Sequence, residues 1–199
     1  MTPVNTVTAD DSSADNNPRS ALHMVDRLGL YSTIFTDPTI QQVTVPDSTR
    51  WNAVYDCLDD LKSNETPGSI YQCLVRSEDA KFLSWLLAAL VPWAQVGQPE
   101  NPGGKARLPF ATLVAREGIK ANNKVCNVVT GAVRNRIEIT QLKDAIKNKL
   151  PYIDERDTVG MSIRRWDSDG GHWRLQALYA LLVEAMGRNN QQGMHTLFS

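Results

Sequence analysis

The sequence predicts an irregular all-α fold of about seven to ten helices with no sheet. Three observations carry that expectation. Apolar residues recur at three- and four-residue spacing through most of the chain beyond residue 17. No stretch sustains the strict alternation of a half-buried strand. Pro, Gly and Asn/Asp/Ser breaks separate the periodic segments at short intervals. No repeat period is visible, so the helices are expected to pack irregularly rather than as a solenoid.

Residues 1–17 are rich in Thr, Ser, Asp and Asn and carry Asp10, Asp11 and Asp15 without Lys or Arg. They are expected to form a disordered acidic tail. Asn17-Pro18 can open a helix, since Pro at an early position gives up an N–H that has no partner there. Leu22, Val25 and Leu28 follow at helical spacing, and Gly29 is a stop. Leu30–Phe35 is a short apolar segment ended by Asp37-Pro38. Ser48 is expected to cap a helix whose apolar face is Trp51, Val54, Tyr55, Leu58 and Leu61. Residues 64–68 (NETPG) end it. Ser77 is the next candidate cap, with Glu78 and Asp79 favouring the helix start.

The longest apolar run, Phe82–Val96, is broken by Ser84, Pro92 and Gln95 and is too short to span a bilayer. It reads as a buried helix. GQPENPGGK (Gly97–Lys105) is the clearest internal linker. Pro109 is expected to start a helix that Gly118 stops. Val125, Val128, Val129 and Val133 mark another. Thr140 is expected to cap a further helix carrying Leu142, Ile146 and Leu150 and ended by Pro151. The last helix runs from about His172 to Met186, with Leu175, Leu178, Leu182 and Met186 inward. The chain therefore divides into a tail (1–17), a helical body (18–96), a linker (97–107), a basic helical domain (108–190) and a flexible C-terminus (191–199).

At 199 residues, with 42% hydrophobic and 22% charged residues, the chain lies in the ordinary globular range. Its mean hydropathy is −0.33. Cys57, Cys73 and Cys126 lie far apart with no C-x-x-C, which disfavours a disulfide framework and a Cys-based zinc site. They read as free thiols in a reducing compartment. His23, His172 and His195 show no metal-ligand spacing. Neither a secretory signal nor a mitochondrial presequence is legible at the start. An intracellular protein without a membrane partner is expected.

The net charge of −1 argues at first against a polynucleotide partner. Its distribution reverses that. Residues 1–104 hold 6 Lys+Arg against 13 Asp+Glu, residues 105–149 hold 10 against 3, and residues 150–199 hold 5 against 6. In the basic middle, Lys105, Arg107, Arg116, Lys120, Lys124, Arg134, Arg136, Lys143, Lys147 and Lys149 recur between apolar positions. With the apolar residues inward, most of these cations are expected on the solvent side. Such a surface suits an RNA or DNA backbone, where each phosphate contact releases counterions. An ordinary solvated helix face has the same composition.

Four segments bear a more specific likeness. DRLGLYSTIFTDP (Asp26–Pro38), WNAVYDCLDDL (Trp51–Leu61), LPFATLVAREGIKANNKVCNVVTGAV (Leu108–Val133) and RDTVGMSIRRWDSDGGHWRLQALYALLVEAM (Arg156–Met186) resemble, in the same order, the C-terminal body and tail of fungal CCA-adding tRNA nucleotidyltransferases of the class II, poly(A) polymerase-like family. The resemblance covers about residues 18–190. It implies an all-α part that grips the acceptor stem and elbow of tRNA during 3′-end maturation. A separate head would carry the chemistry, with Mg²⁺ and CTP or ATP as its cofactor and substrates. On this basis the RNA-binding residues are expected among Lys105, Arg107, Arg116, Lys120, Lys124, Arg134, Arg136, Lys143, Lys147, Arg164 and Arg165. tRNA is the expected partner, and the catalytic head is a second one.

The head's own motifs are not matched. Asp167-Ser168-Asp169 is formally a D-x-D metal pair, but no apolar strand precedes it and Gly170-Gly171 follow, as at a turn or helix end. Glu78-Asp79-Ala80-Lys81-Phe82 begins like the family's nucleotide-reading motif, yet Phe82 stands where Arg is needed to pair with a base edge. The chain alone is expected to lack catalytic carboxylates, to hold no cofactor or metal and to be inactive. His172 is expected to pack at a core edge, and Cys126 to be a buried thiol. The five tryptophans are expected in the core, with Trp166, beside Arg164-Arg165, the one best placed to stack on a base. A non-enzymatic helical protein-interaction module is the competing reading.

Overall fold

The computed structural model describes residues 17–39, 45–64, 66–97, 108–150, 156–168 and 171–187. The expectations for residues 1–16, the linker from 98 to 107 and the C-terminus from 191 lie outside the described residues. The described residues are all-helical, with no strand. The α-helices are α1 (Pro18–Arg27), α2 (Tyr31–Ile34), α3 (Trp51–Ser63), α4 (Ile70–Leu74), α5 (Glu78–Leu90), α6 (Phe110–Leu113), α7 (Asn123–Lys147), α8 (Arg156–Ser168) and α9 (Trp173–Gly187). A tight 3₁₀ turn, Val91–Gln95, continues α5, and a π turn, Val114–Gly118, continues α6.

Local chemistry sets most helix starts. The Asn17 side chain accepts from the Arg19 amide and Pro18 takes the first position of α1. Ser69 and Ser77 accept from the Gln72 and Ala80 amides, and Asn122 accepts from Val125. Ser48 does not cap α3. Asp47 takes the local hydrogen bonds instead, from the Thr49 amide and hydroxyl, and the Ser48 carbonyl accepts from the Trp51 amide.

Thr140 does not start a helix either. Residues 123–147 form one helix of 25 residues, about 37 Å long at 1.5 Å per residue. The reason is local: 132–147 contains neither Gly nor Pro, so nothing interrupts the hydrogen-bond ladder. The helix ends at Asn148, followed by Lys149 in the left-handed region at φ +50°.

The first half of α7 is buried on every side, from Cys126 through Ala132 except Asn127. It packs against α9, which also meets α3, α4, α5 and the 3₁₀ turn. Helices from both sides of residues 98–107 thus feed one core. In that core Trp51 is fully buried. Its ring meets Tyr31 at 4.6 Å, Tyr55 at 5.6 Å and Phe35 at 5.9 Å. Aromatic pairs of this kind add about 0.5–1.5 kcal/mol each beyond their burial. Their polar ends are tied to backbone. The Trp51 and Trp93 indoles donate to Ala88 O and Phe35 O, both at 3.0 Å, and the Tyr31 hydroxyl donates to Ala89 O at 2.9 Å. Phe82, placed in the buried run by its sequence, faces out at 66% exposure.

A second, smaller core joins α8 and α9 to the far half of α7. Ile139, Trp166 and Ala180 are its buried members, with Ile163, Leu142 and Trp173 against them.

Gly118 ends the π turn where it meets the α2 end. A Cβ built there would lie 2.2 Å from the Thr36 carbonyl oxygen, whereas one at Gly160 in α8 meets nothing within 4 Å. Gly118→Ala should therefore cost about 1–3 kcal/mol, while Gly160→Ala should be neutral or stabilise by up to about 1 kcal/mol through helix propensity. Urea unfolding of the two variants checks the contrast; equal stabilities would refute the close approach at Thr36.

Tyr179 is completely buried, and its hydroxyl finds no hydrogen-bond partner among the described residues. Burial pushes its ionisation well above the usual tyrosine range. The unfolded chain then loses this proton at lower pH than the folded chain does. The stabilisation is complete below about pH 10, the ordinary tyrosine value, and falls as pH rises beyond it. Tyr179→Phe should cost little at pH 7, since no hydrogen bond is lost, and should weaken the alkaline fall in stability. Thermal melts from pH 8 to pH 11 test both parts.

Candidate nucleic-acid interface

The expected RNA-binding residues fall on three parts of the fold. Lys105 and Arg107 lie outside the described residues. Arg116 and Lys120 flank the end of the π turn. Lys124, Arg134, Arg136, Lys143 and Lys147 lie along α7, and Arg164 and Arg165 lie on α8.

Most of the nine described cations meet a carboxylate of their own chain. Glu117 takes Arg116 at 2.9 Å and Lys120 at 3.5 Å. Lys124 lies 3.7 Å from Asp79 at the start of α5. Lys143 pairs with Glu184 of α9 and lies 3.3 Å from Asp144. Arg165 pairs with Glu138 of α7. Lys143–Glu184 is partly buried; the other pairs are more open to solvent, and exposed pairs contribute about 0–1 kcal/mol. A phosphate that offers better geometry can therefore replace the carboxylate.

Arg134, Lys147 and Arg164 are exposed and make no ion pair among the described residues. Arg136 differs from both groups. Its guanidinium turns inward toward the Ala94 carbonyl at 3.5 Å, and its Nε is buried without a hydrogen-bond partner among the described residues.

The cations do not share one side of α7. At about 100° per residue, positions 136, 143 and 147 fall within about 40° of one another, and 134 lies about 200° from 136. The sequence places basic residues densely, but the helix deals them around its circumference. Lys143 sits at the α9 edge of the 136–147 stripe, and Arg134 is on the other side beside exposed Ile137.

Arg164 and Arg165 are placed by a buried polar network. The Gln176 side chain, fully buried, donates to the Trp166 carbonyl at 2.8 Å and to the Gly171 carbonyl at 2.9 Å. It accepts from the Asn135 amide at 2.9 Å. The Trp166 indole donates to Glu138 at 3.1 Å, on the carboxylate that also holds Arg165. Trp166 is 2% exposed, so it anchors α8 and is closed to base stacking. Trp51, Trp85 and Trp93 are core residues too.

The remaining singled-out residues have structural surroundings. Cys126 is buried, and burial pushes its thiol up rather than down. His172 is exposed at φ +58°, not packed at a core edge; its carbonyl starts α9 by accepting from Leu175 at 2.8 Å. Asp167 and Ser168 close α8, as a helix end rather than a strand. Glu78 and Asp79 occupy the first turn of α5. No group of three or more His, Cys, Asp or Glu among the described residues could hold a metal ion. No helix there is long and apolar enough to cross a membrane.

Over 169 residues the chain is 47% identical to the protein named Nucleotidyltransferase lcsQ of Purpureocillium lilacinum. The similarity is to part of a nucleotidyltransferase. It covers 84% of this chain and 28% of that protein, so the chain spans less than a third of the curated relative's length. No family model matches the chain, and no solved structure matches it.

Gln176→Leu should remove three hydrogen bonds while keeping the helix and much of the volume. Leaving buried groups unsatisfied costs about 1–3 kcal/mol each. The variant should lose stability on that scale, and amide exchange in α8 should accelerate more than in α3. Exchange that rises equally in both helices would show that the network does not hold α8 in particular.

Proposed function

We propose that this chain is the RNA-gripping helical part of a nucleotidyltransferase, and that its RNA is tRNA awaiting CCA addition. The observation that carries this reading is the 47% identity to part of Nucleotidyltransferase lcsQ. The four ordered segments that resemble the body and tail of CCA-adding enzymes supply the finer identity. Arg134, Lys147 and Arg164 are the first cations to meet phosphate. Lys120, Lys124 and Arg165 follow by exchanging their carboxylate partners for it.

Such contacts grip backbone and helix shape without reading sequence. Their contribution to the reaction is positioning: a tRNA held by its stem and elbow presents its 3′ end in a fixed place. Mg²⁺ and CTP or ATP belong to the catalytic module in this reading. Among the described residues nothing fits a metal pair: Asp167 closes a helix and accepts weakly from the Trp173 amide at 3.5 Å.

Titration of the chain with tRNA between 50 and 200 mM salt tests the reading. Three cations without an ion pair among the described residues predict a log–log salt slope of about −2 to −3. Tighter binding to tRNA than to unstructured RNA of equal length is expected. The triple variant R134A/K147A/R164A should flatten the slope by about 1 per residue removed. Absence of tRNA binding at 50 mM salt, or a slope unchanged in the triple variant, would leave the protein-interaction reading in its place.

A further inference from the structure

A cleft of about 380 Å³ opens between the α4–α5 turn on one side and Asp167 of α8 with the start of α9 on the other. None of the cations assigned to the RNA backbone lines it. One wall carries Arg76 and Ser77, the other Asp167, His172, Trp173 and Arg174, over an aliphatic floor. The volume lies in the range of small-ligand sites, about 300–1,000 Å³.

Two features give the cleft a chemical preference. The Arg174 guanidinium carbon lies over the Trp173 ring, 4.7 Å from its centroid. That arrangement presents a planar cation backed by an aromatic face, a platform on which a nucleobase stacks. On the opposite wall, Arg76 is steadied by a hydrogen bond from Nε to the Cys73 carbonyl at 3.2 Å. Its terminal nitrogens make no ion pair among the described residues, which suits them to the oxygens of a phosphate.

Among the described lining residues, two arginines face one carboxylate, Asp167, a balance that favours an anionic phosphate ester. Asp167 also offers an acceptor for a ribose hydroxyl or an exocyclic amine. The wall is preorganised. Gln176 donates to the Gly171 carbonyl, and Gly171 and His172 both stand in the left-handed region, at φ +70° and +58°. Binding then orders little new structure.

We propose that this cleft binds one nucleotide, its base stacked on Arg174 and its phosphate on Arg76. The nucleotide comes either free as a monophosphate or as an unpaired residue of a bound RNA strand. In the second form the assignment rests on the RNA-gripping reading above and adds a single-nucleotide pocket to it.

The test titrates the full chain with adenosine 5′-monophosphate, inorganic phosphate and a six-nucleotide oligoadenylate, reading tryptophan fluorescence. Saturable quenching by the monophosphate is expected, at least about tenfold tighter than by phosphate. R76A and R174A should each weaken it about tenfold, or about 1.4 kcal/mol, with unchanged circular dichroism. Should R174A disturb folding, R76A alone decides. Oligoadenylate that binds more tightly and responds to the same variants identifies an RNA strand as the source; equal affinities identify the free nucleotide. No saturation up to about 10 mM monophosphate, or wild-type affinity in R76A, overturns the proposal. The salt slope on tRNA depends on Arg134, Lys147 and Arg164. Its loss with the cleft intact therefore counts against the RNA-gripping reading only.

Discussion

The hydrogen bonds of one fully buried side chain fix the geometry on which the candidate surfaces depend. Gln176 sits in α9 among leucines, and its amide links the end of α8, the α8–α9 turn and the middle of α7. Both of its N–H donors and its carbonyl are used, so a polar group that would otherwise be costly in the core becomes a geometric constraint. α8 has few apolar residues with which to hold itself in place, and its second core is small. The Gln176 amide, with the Trp166–Glu138 bond, supplies the orientation that apolar packing alone leaves open. Arg164 and Arg165 on the outer side, and the wall of the cleft on the inner side, inherit that orientation.

Charge in this molecule is organised by pairing more than by segregation. The 105–149 stretch is strongly basic in sequence, yet its cations reach across to Asp79 and Glu184 on elements drawn from outside that stretch. The folded surface is therefore less polarised than the linear charge distribution. What distinguishes one cation from another is the company it keeps. Arg136 is committed to the interior, Lys143 to α9, and Arg134, Lys147 and Arg164 to solvent.

Much of the fold was legible because it is written locally. Asn17 and Ser77 stand at helix starts, and the Trp51–Leu61 face repeats at helical spacing. Each was readable from neighbours within one turn. The misreadings share a different cause. Thr140 has the composition of a cap, but a cap needs a break before it, and none exists between Ala132 and Lys147. Phe82 sits in an apolar run, but burial depends on which neighbours cover the helix face. Trp166 lies in the core, as expected of the tryptophans, but the partner that holds its indole there is a carboxylate 28 positions earlier in the chain. The candidate interface was legible as a set of residue types. Its partition into paired, buried and available cations was not, since every partner but Glu117 and Asp144 is distant in sequence. Gln176 left one signal, a lone amide in a helix whose apolar residues cover nearly all sides.

The central position of α9 bears on how the chain comes to be folded. This helix, the last among the described residues, packs against α3, α4, α5 and α7. Until it leaves the ribosome, the faces of those helices have no lid, and the aromatic cluster around Trp51 closes only over part of its surroundings. Contacts of such long sequence separation form late and slowly. During synthesis the N-terminal helices expose apolar surface for the time needed to add more than 80 further residues after α5, at roughly 5–20 residues per second. The core therefore stays open for several seconds of synthesis, and a break in translation before residue 173 would leave it open.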